Sequence, residues 1–249
     1  MIRLILVRTL TLAAALVGLV LAWQAVITLF GIPAYLIPGP AAVWAAFVEK
    51  RMTIAEHAGL TLLSSGLGLA VSCTFAIVLS VIFVLYKSLG QASMPLIVVL
   101  RSAPVAAIAP IIMLIAGRGM GTSVVVVVIV SFFPIMVNLM RGLRGADPLA
   151  MELMHVCGAT RWQQVRYVQA PASLPFLFTG LRIAGANAIL GALLAEWITG
   201  SPGLGLLILE TGDLLEVETL WAAVIVTMAV ALSVFAVTSS AEKAVLRWT

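Results

Sequence analysis

Chemically versatile side chains are scarce in this chain, since Lys, Arg, Asp and Glu make up only 10% of its 249 residues. The longest polar interruption is "DPLAMELMHVCGATRWQQVRYVQAPASLP", residues 147–175, which holds Asp147, Glu152, His155, Cys157, Arg161 and Arg166. Such residue types can serve acid–base, nucleophilic or metal chemistry, but their arrangement here serves none of them. There is no C-x-x-C, no H-E-x-x-H and no other metal-ligand cluster. Cys73 and Cys157 are expected in a span and in a loop, so they offer no disulfide. "GRGMGTS", residues 117–123, lacks the lysine that a phosphate-binding loop needs and reads as a tight turn. No catalytic residue and no metal ligand is expected. What remains for this segment is docking and charge pairing.

The segment's own residues specify how it folds. Asp147 and Pro148 read as the N-cap and first position of a helix. Gly158 fits the left-handed position that ends it. Thr160 and Gln163 then form a T-x-x-Q capping box that opens a second short helix, which Pro171 is expected to end. The first helix is apolar on nearly every face, at Leu149, Met151, Leu153, Met154 and Val156, with only Glu152 and His155 polar. At about 15 Å it is too short to cross a bilayer. An all-round apolar helix requires cover. Two solutions are open: a groove on another protein, or the underside of its own bundle.

The elements flanking this segment belong in lipid. Hydrophobic residues make up 63% of the chain, far above a soluble domain, which makes it an integral membrane protein. Six apolar runs can cross as helices, approximately Leu10–Phe30, Thr61–Tyr86, Met94–Ala116, Ser123–Met140, Pro175–Ile198 and Leu220–Ser239. The first has a longer apolar core than a signal peptide and no small-residue cleavage site follows it, so a retained span is expected. Arg3, Arg8, Lys87, Arg141, Arg144, Arg161, Arg166, Lys243 and Arg247 fall on the side of both termini, against Lys50, Arg51 and Arg118 on the other. Both termini are therefore expected in the cytoplasm. The net charge of +4 reflects this topology and requires no nucleic-acid partner. One transmembrane domain, residues 1–249, accounts for the chain, with the inner loop of residues 147–175 inside it.

Polar residues within the spans are candidates for a solute path. The third run contains Arg101, Ser102, Pro104 and Pro110 and is expected to kink. Arg101 either faces a water-filled cavity or snorkels to the headgroups. In the fifth run Gly180, Ala184, Ala188 and Ala192 form a small-residue stripe for close helix approach, and Glu196 continues it. Glu196 serves a path or gate, or else an interfacial or structural role. Ser102, Asn138 and Asn187 either meet a solute or hydrogen-bond neighbouring helices.

The loop resembles the E-A-A coupling loop of ABC-importer permeases, whose pattern is E-A-A, three residues, G, nine residues, I, one residue, L-P. Glu152, Gly158, Val168 and Pro171 occupy its positions, while Leu153-Met154 stands for the Ala pair and Ala170 for the leucine. "GATRW", "GLRIA", "LIPGPAAVWAAF", "LRSAPVAAIAPIIMLIAGRGMGT" and "AEWITGSPGLGLLI" extend the likeness over nearly the whole chain, most like the nitrate/sulfonate/taurine/bicarbonate subfamily. The resemblance implies an all-α polytopic protein with six transmembrane helices and the type I importer permease core. It implies a homodimer in the bacterial inner membrane, two ABC ATPase subunits that bind ATP and Mg, and a periplasmic or lipid-anchored substrate-binding protein. This chain would hold no cofactor. It would couple to the ATPase through Leu149, Glu152, Leu153, Met154, Gly158, Ala159 and Arg161, and line the path with Arg101, Ser102, Asn138, Asn187 and Glu196. The solute would be a sulfonate, taurine, nitrate or bicarbonate-type anion, or alternatively a thiamine-precursor pyrimidine or other small organic molecule. A secondary transporter driven by an ion gradient and a purely structural membrane protein are the competing classes.

Overall fold

The computed structural model describes residues 2–102 and 104–245, with side chains described outside 2–9, 12–13, 94, 96, 98 and 100–102. The described chain is helical throughout, in the order α1 Ile2–Phe30, α2 Pro40–Glu49, α3 Arg51–Leu85, α4 Lys87–Ser102, α5 Val105–Ala116, α6 Met120–Arg144, α7 Pro148–Val156 and α8 Arg161–Gln164. A π-helical turn, Val165–Gln169, leads into α9 Ala170–Thr199, followed by α10 Leu204–Asp213 and α11 Val217–Val245. Among the described residues, four helical stretches are long and apolar enough to cross a membrane: Arg51–Leu85, Met120–Arg144, Arg161–Thr199 and Val217–Val245. They match the expected spans at Thr61–Tyr86, which runs one residue past its helix, and at Ser123–Met140, Pro175–Ile198 and Leu220–Ser239. Ala14–Phe30 and Val105–Ala116 are shorter apolar helices.

The third expected span, Met94–Ala116, expected as one kinked helix, is instead formed by two helices, α4 and α5. The physical reason is Pro104, which lies in extended backbone at φ −67° and ψ 116° before α5 starts. Having no N–H, it cannot continue the ladder, and it disfavours helical backbone in the residue before it.

Two compact units make up the chain. One comprises the described residues up to Ala55 together with Leu207–Val226; the other comprises Glu56–Leu206 and the described residues from Thr227 onward. In the first, Trp23 and Trp221 pack with ring centroids 5.5 Å apart. Pro40 opens α2 at a position where its missing N–H costs nothing, and Val43 is the buried residue of that helix. Lys50 pairs with Glu216, just ahead of α11.

The second unit is built on α6 packed along α9. The stripe of small residues on α9 is what permits their approach. Ala184, Ala188 and Ala192 are fully buried. A Cβ on Gly180 would lie 3.0 Å from both the Ile135 Cα and the Pro134 carbonyl, and one on Gly191 would lie 2.7 Å from Val130 Cγ2. Where lipid surrounds the helices, burial of apolar surface supplies little association energy, so close backbone approach and dispersion must supply it. Ser131 Oγ adds a hydrogen bond across the pair, donated to the Ala184 carbonyl at 3.3 Å.

Candidate functional site

The interhelical loop folds as its capping residues dictate. Asp147 caps α7, its Oδ1 accepting from the Leu149 N–H at 3.1 Å, with Pro148 next in line. At the other end Gly158 sits at φ 71°. The Gly158 N–H donates to the His155 carbonyl at 3.0 Å and the Ala159 N–H to the Met154 carbonyl at 2.9 Å. Those are the two bonds of a Schellman motif, and they consume the carbonyls that α7 would otherwise leave open. Thr160 and Gln163 then exchange bonds in a complete capping box.

Pro171 does not end the second helix, contrary to expectation. The chain stays helical from Arg161 to Thr199. The carbonyls just ahead of the proline shift into a π register, in which the Ala170 N–H donates to the Val165 carbonyl. This wide turn absorbs the donor that proline lacks. As a consequence the second helix of the loop is the beginning of a continuous 39-residue helical stretch. At roughly 58 Å that stretch is far longer than a ~30 Å hydrocarbon core.

The coupling candidates are brought together on this short, capped element. No residue of α7 is buried. Leu149, Leu153 and Val156 are 74%, 64% and 80% exposed, and Glu152 is exposed beside them. Met154 and Ala159 are half-buried. Arg161 reaches back to donate from Nη1 to the Leu85 carbonyl at 3.0 Å, which ties the loop to the end of α3. Of the two covers left open by the sequence, the chain's own unit leaves the Leu149, Leu153 and Val156 side chains uncovered.

The path candidates are dispersed. Arg101 and Ser102 end α4, and their side chains lie outside the described residues. Asn138 is half-buried on α6, where Nδ2 donates to the Pro134 carbonyl at 2.8 Å and Cβ faces Gly180. Asn187 is half-buried on α9.

Glu196 is 1% exposed and lies inside a network that the sequence did not reveal. Its Oε1 and Oε2 accept from Thr61 Oγ1 at 2.9 and 3.0 Å, and Oε2 also accepts from the Gly205 N–H at 2.9 Å. Thr61 Oγ1 in turn accepts from the Leu204 N–H at 2.8 Å. The acid and Thr61 thereby each satisfy one N–H donor at the start of α10. Around it, the His57 ring Nδ1 lies 2.8 Å from the Gly203 carbonyl, and Ser201 Oγ accepts from the Gly119 N–H at 3.1 Å. Gly203 and Gly205 are the legible trace of this arrangement. A Cβ on Gly203 would fall 2.1 Å from the Glu196 carboxyl carbon, and one on Gly205 would fall 2.5 Å from the Leu193 carbonyl oxygen.

The fold is that of an all-helical polytopic membrane protein, with the short, exposed helix α7 set between two of its long apolar helices. The chain belongs to the family described as binding-protein-dependent transport system inner membrane component, whose family model matches residues 74–247. It is 32% identical over 239 residues to the riboflavin transport system permease protein RibX of Chloroflexus aurantiacus, covering 95% of this chain and 89% of that one. It is 34% identical over 192 residues to the formylaminopyrimidine transport permease protein ThiX of Halalkalibacterium halodurans, covering 75% of each. To the putative aliphatic sulfonates transport permease protein SsuC of Bacillus subtilis it is 24% identical over 228 residues, covering 91% of this chain and 83% of that one. The fold resembles a solved bacterial ABC transporter involved in import of the acidic polysaccharide alginate, with TM-score 0.62 and 18% identity over 96% of this chain and 95% of that one.

The chain is thus a multi-pass inner-membrane ABC importer permease, a subunit without catalytic chemistry of its own. A binding-protein-dependent system implies an ATPase and a substrate-binding protein as partners.

Proposed function

We propose that two copies of this chain form the translocation path of an importer, and that α7 carries the stroke of the partner ATPase into the membrane. The observation that carries this reading is the uncovered apolar face of α7, Leu149, Leu153 and Val156, on a helix capped at both ends. Burying such side chains is worth roughly 1.5–3 kcal/mol each. A groove on an ATPase would supply that burial, with Glu152 placed to meet a base. Gly158, Ala159 and the Arg161 bond to α3 hold the docking helix at a fixed angle to the spans. Closure of the two ATPase subunits on ATP and Mg would then swing the spans between inward- and outward-facing states, a two-state element biased from a distant site.

In this reading six segments cross the membrane, α4 and α5 together making one, and both termini are cytoplasmic. Arg101, Ser102, Asn138 and Asn187 are the polar groups offered to the path, and Glu196 supports the segment that closes its outer end. The solute is a small organic molecule delivered by a binding protein. A heterocycle is supported by the likeness to permeases named for riboflavin and formylaminopyrimidine, and an organic anion by the likeness to one named for aliphatic sulfonates.

Reconstituting the chain with its ATPase and binding protein in vesicles tests the proposal. ATP-dependent uptake that needs all three is expected. Uptake driven by an ion gradient without the ATPase would overturn it in favour of a secondary transporter.

A further inference from the structure

Behind the docking helix lies an open cleft of about 830 Å³, walled by the end of α3, the start of α4, the ends of α6 and α7, and α8. Its volume is in the range of small-molecule sites. Its chemistry is one-sided. Lys87, Arg144 and Arg161 line it together with His155, and no Asp or Glu does. The remaining polar lining is neutral: Gln91, Thr160, Gln164 and Gln169. Asp147 and Glu152 belong to the same loop but are not part of the wall.

Among the described residues none of the three cations has a carboxylate partner, the recorded ion pairs being Lys50–Glu216 and Arg182–Glu242. Arg161 spends one donor on the Leu85 carbonyl. A guanidinium has five donors, so the rest are available to a ligand, and they present the planar fork that suits phosphate. Converging like charges repel unless an anion joins them, and a concave surface focuses their field.

We propose that this cleft binds a phosphate group, carried either by the headgroup of an anionic lipid or by a free phosphate-bearing solute. The anion would bridge Lys87 at the start of α4, Arg144 at the end of α6 and Arg161 beside α7. It would therefore brace the docking helix against the spans, so its occupancy would set how firmly ATPase movement is transmitted. The site does not depend on which face of the membrane the loop occupies, nor on the identity of the transported solute.

The test uses the full chain in complex with its ATPase, in nanodiscs. The lipid arm compares phosphatidylglycerol with phosphatidylcholine discs by native mass spectrometry. The solute arm titrates inorganic pyrophosphate into phosphatidylcholine discs by calorimetry. Retention of phosphatidylglycerol, or binding of pyrophosphate, at least tenfold stronger in the wild type than in the Lys87→Gln/Arg144→Gln double variant is expected, and whichever arm responds identifies the source. A Lys87→Arg/Arg144→Lys variant preserves the charge and is expected to keep binding, which separates lost charge from lost folding. Three outcomes overturn the proposal: neither probe binding above the phosphatidylcholine background, an equal loss in Arg141→Gln outside the cleft, or a double variant that sheds the ATPase while no phosphate probe binds the wild type.

Discussion

Glu196 near the end of α9 and Thr61 on α3 are joined through both carboxylate oxygens, at 2.9 and 3.0 Å, across 135 positions of sequence. The pair is buried and jointly satisfies the Leu204 and Gly205 N–H groups at the start of α10. Removing either partner strands buried polar groups at the other. Thr61→Val should cost roughly 1–3 kcal/mol, as should Glu196→Ala, while Glu196→Gln, which retains an acceptor, should lose less. Thermal unfolding of the purified chain in detergent reads the order. Equal stability of Thr61→Val and wild type would refute the network.

Gly203 is where the same network leaves no room. Gly203→Ala would set a methyl 2.1 Å from the Glu196 carboxyl carbon, so the acid must move. Overpacking of this kind costs about 1–3 kcal/mol. In a Glu196→Ala background the obstacle is gone, and the same alanine should cost markedly less. A double-mutant cycle on unfolding midpoints measures that coupling; strict additivity would show that the two residues do not compete for space.

Gly158 tests the hinge. At φ 71° a β-branched residue is strained, whereas asparagine tolerates the left-handed region. Gly158→Val should leave ATP hydrolysis running with transport reduced by tenfold or more, and Gly158→Asn should retain most transport. Parallel hydrolysis and uptake assays check it. Normal transport by the valine variant would remove the turn from the coupling scheme.

The docking face predicts a loss of assembly rather than of folding. Glu152→Lys and Leu153→Asp both alter exposed side chains of α7, so the melting temperature should barely move. Recovery of the ATPase in pull-down should fall several-fold for each. An undiminished yield of complex would argue that α7 is not the docking element.

The Lys50–Glu216 pair carries a pH signature. The hydrogen bond from Lys50 holds the Glu216 carboxyl below its ordinary value. A depressed folded-state value means that the pair stabilises above the unfolded carboxylate value of about 4.3 and is lost as pH falls through the folded one. Wild type should therefore exceed Glu216→Gln in stability near neutral pH, and the two should converge in acid. Because the Glu216 side chain is still 39% exposed, the difference is expected to be small and to shrink with salt. Melting curves from pH 7 to pH 3 decide; a gap that widens in acid would reverse the assignment.

Local and chemical signals made much of this protein legible from its residues. Asp147, Pro148, Gly158, Thr160 and Gln163 specify the caps of the loop because a cap depends on neighbours three or four positions away. The small-residue stripe of α9 announced a close helix partner without naming it. Pro104 was expected to kink a helix and instead breaks it, whereas Pro171 was expected to stop one and does not. The difference lies in the surrounding register: a π turn ahead of Pro171 absorbs the missing donor, and Pro104 sits in extended backbone at a break in the chain's helical path.

Relationships between distant residues required the tertiary structure. A buried carboxylate needs donors, and from the sequence alone Glu196 could take them from water, solute or protein. The fold brings Thr61 of α3 and the Gly205 N–H to it, and Gly203 and Gly205 let the start of α10 approach the end of α9 closely enough to do so. The basic cleft arises in the same way. From the sequence, Lys87, Arg144 and Arg161 were only separate basic residues, expected on one side of the membrane. Their convergence around one cavity depends on three helix ends meeting, and no local pattern encodes that meeting.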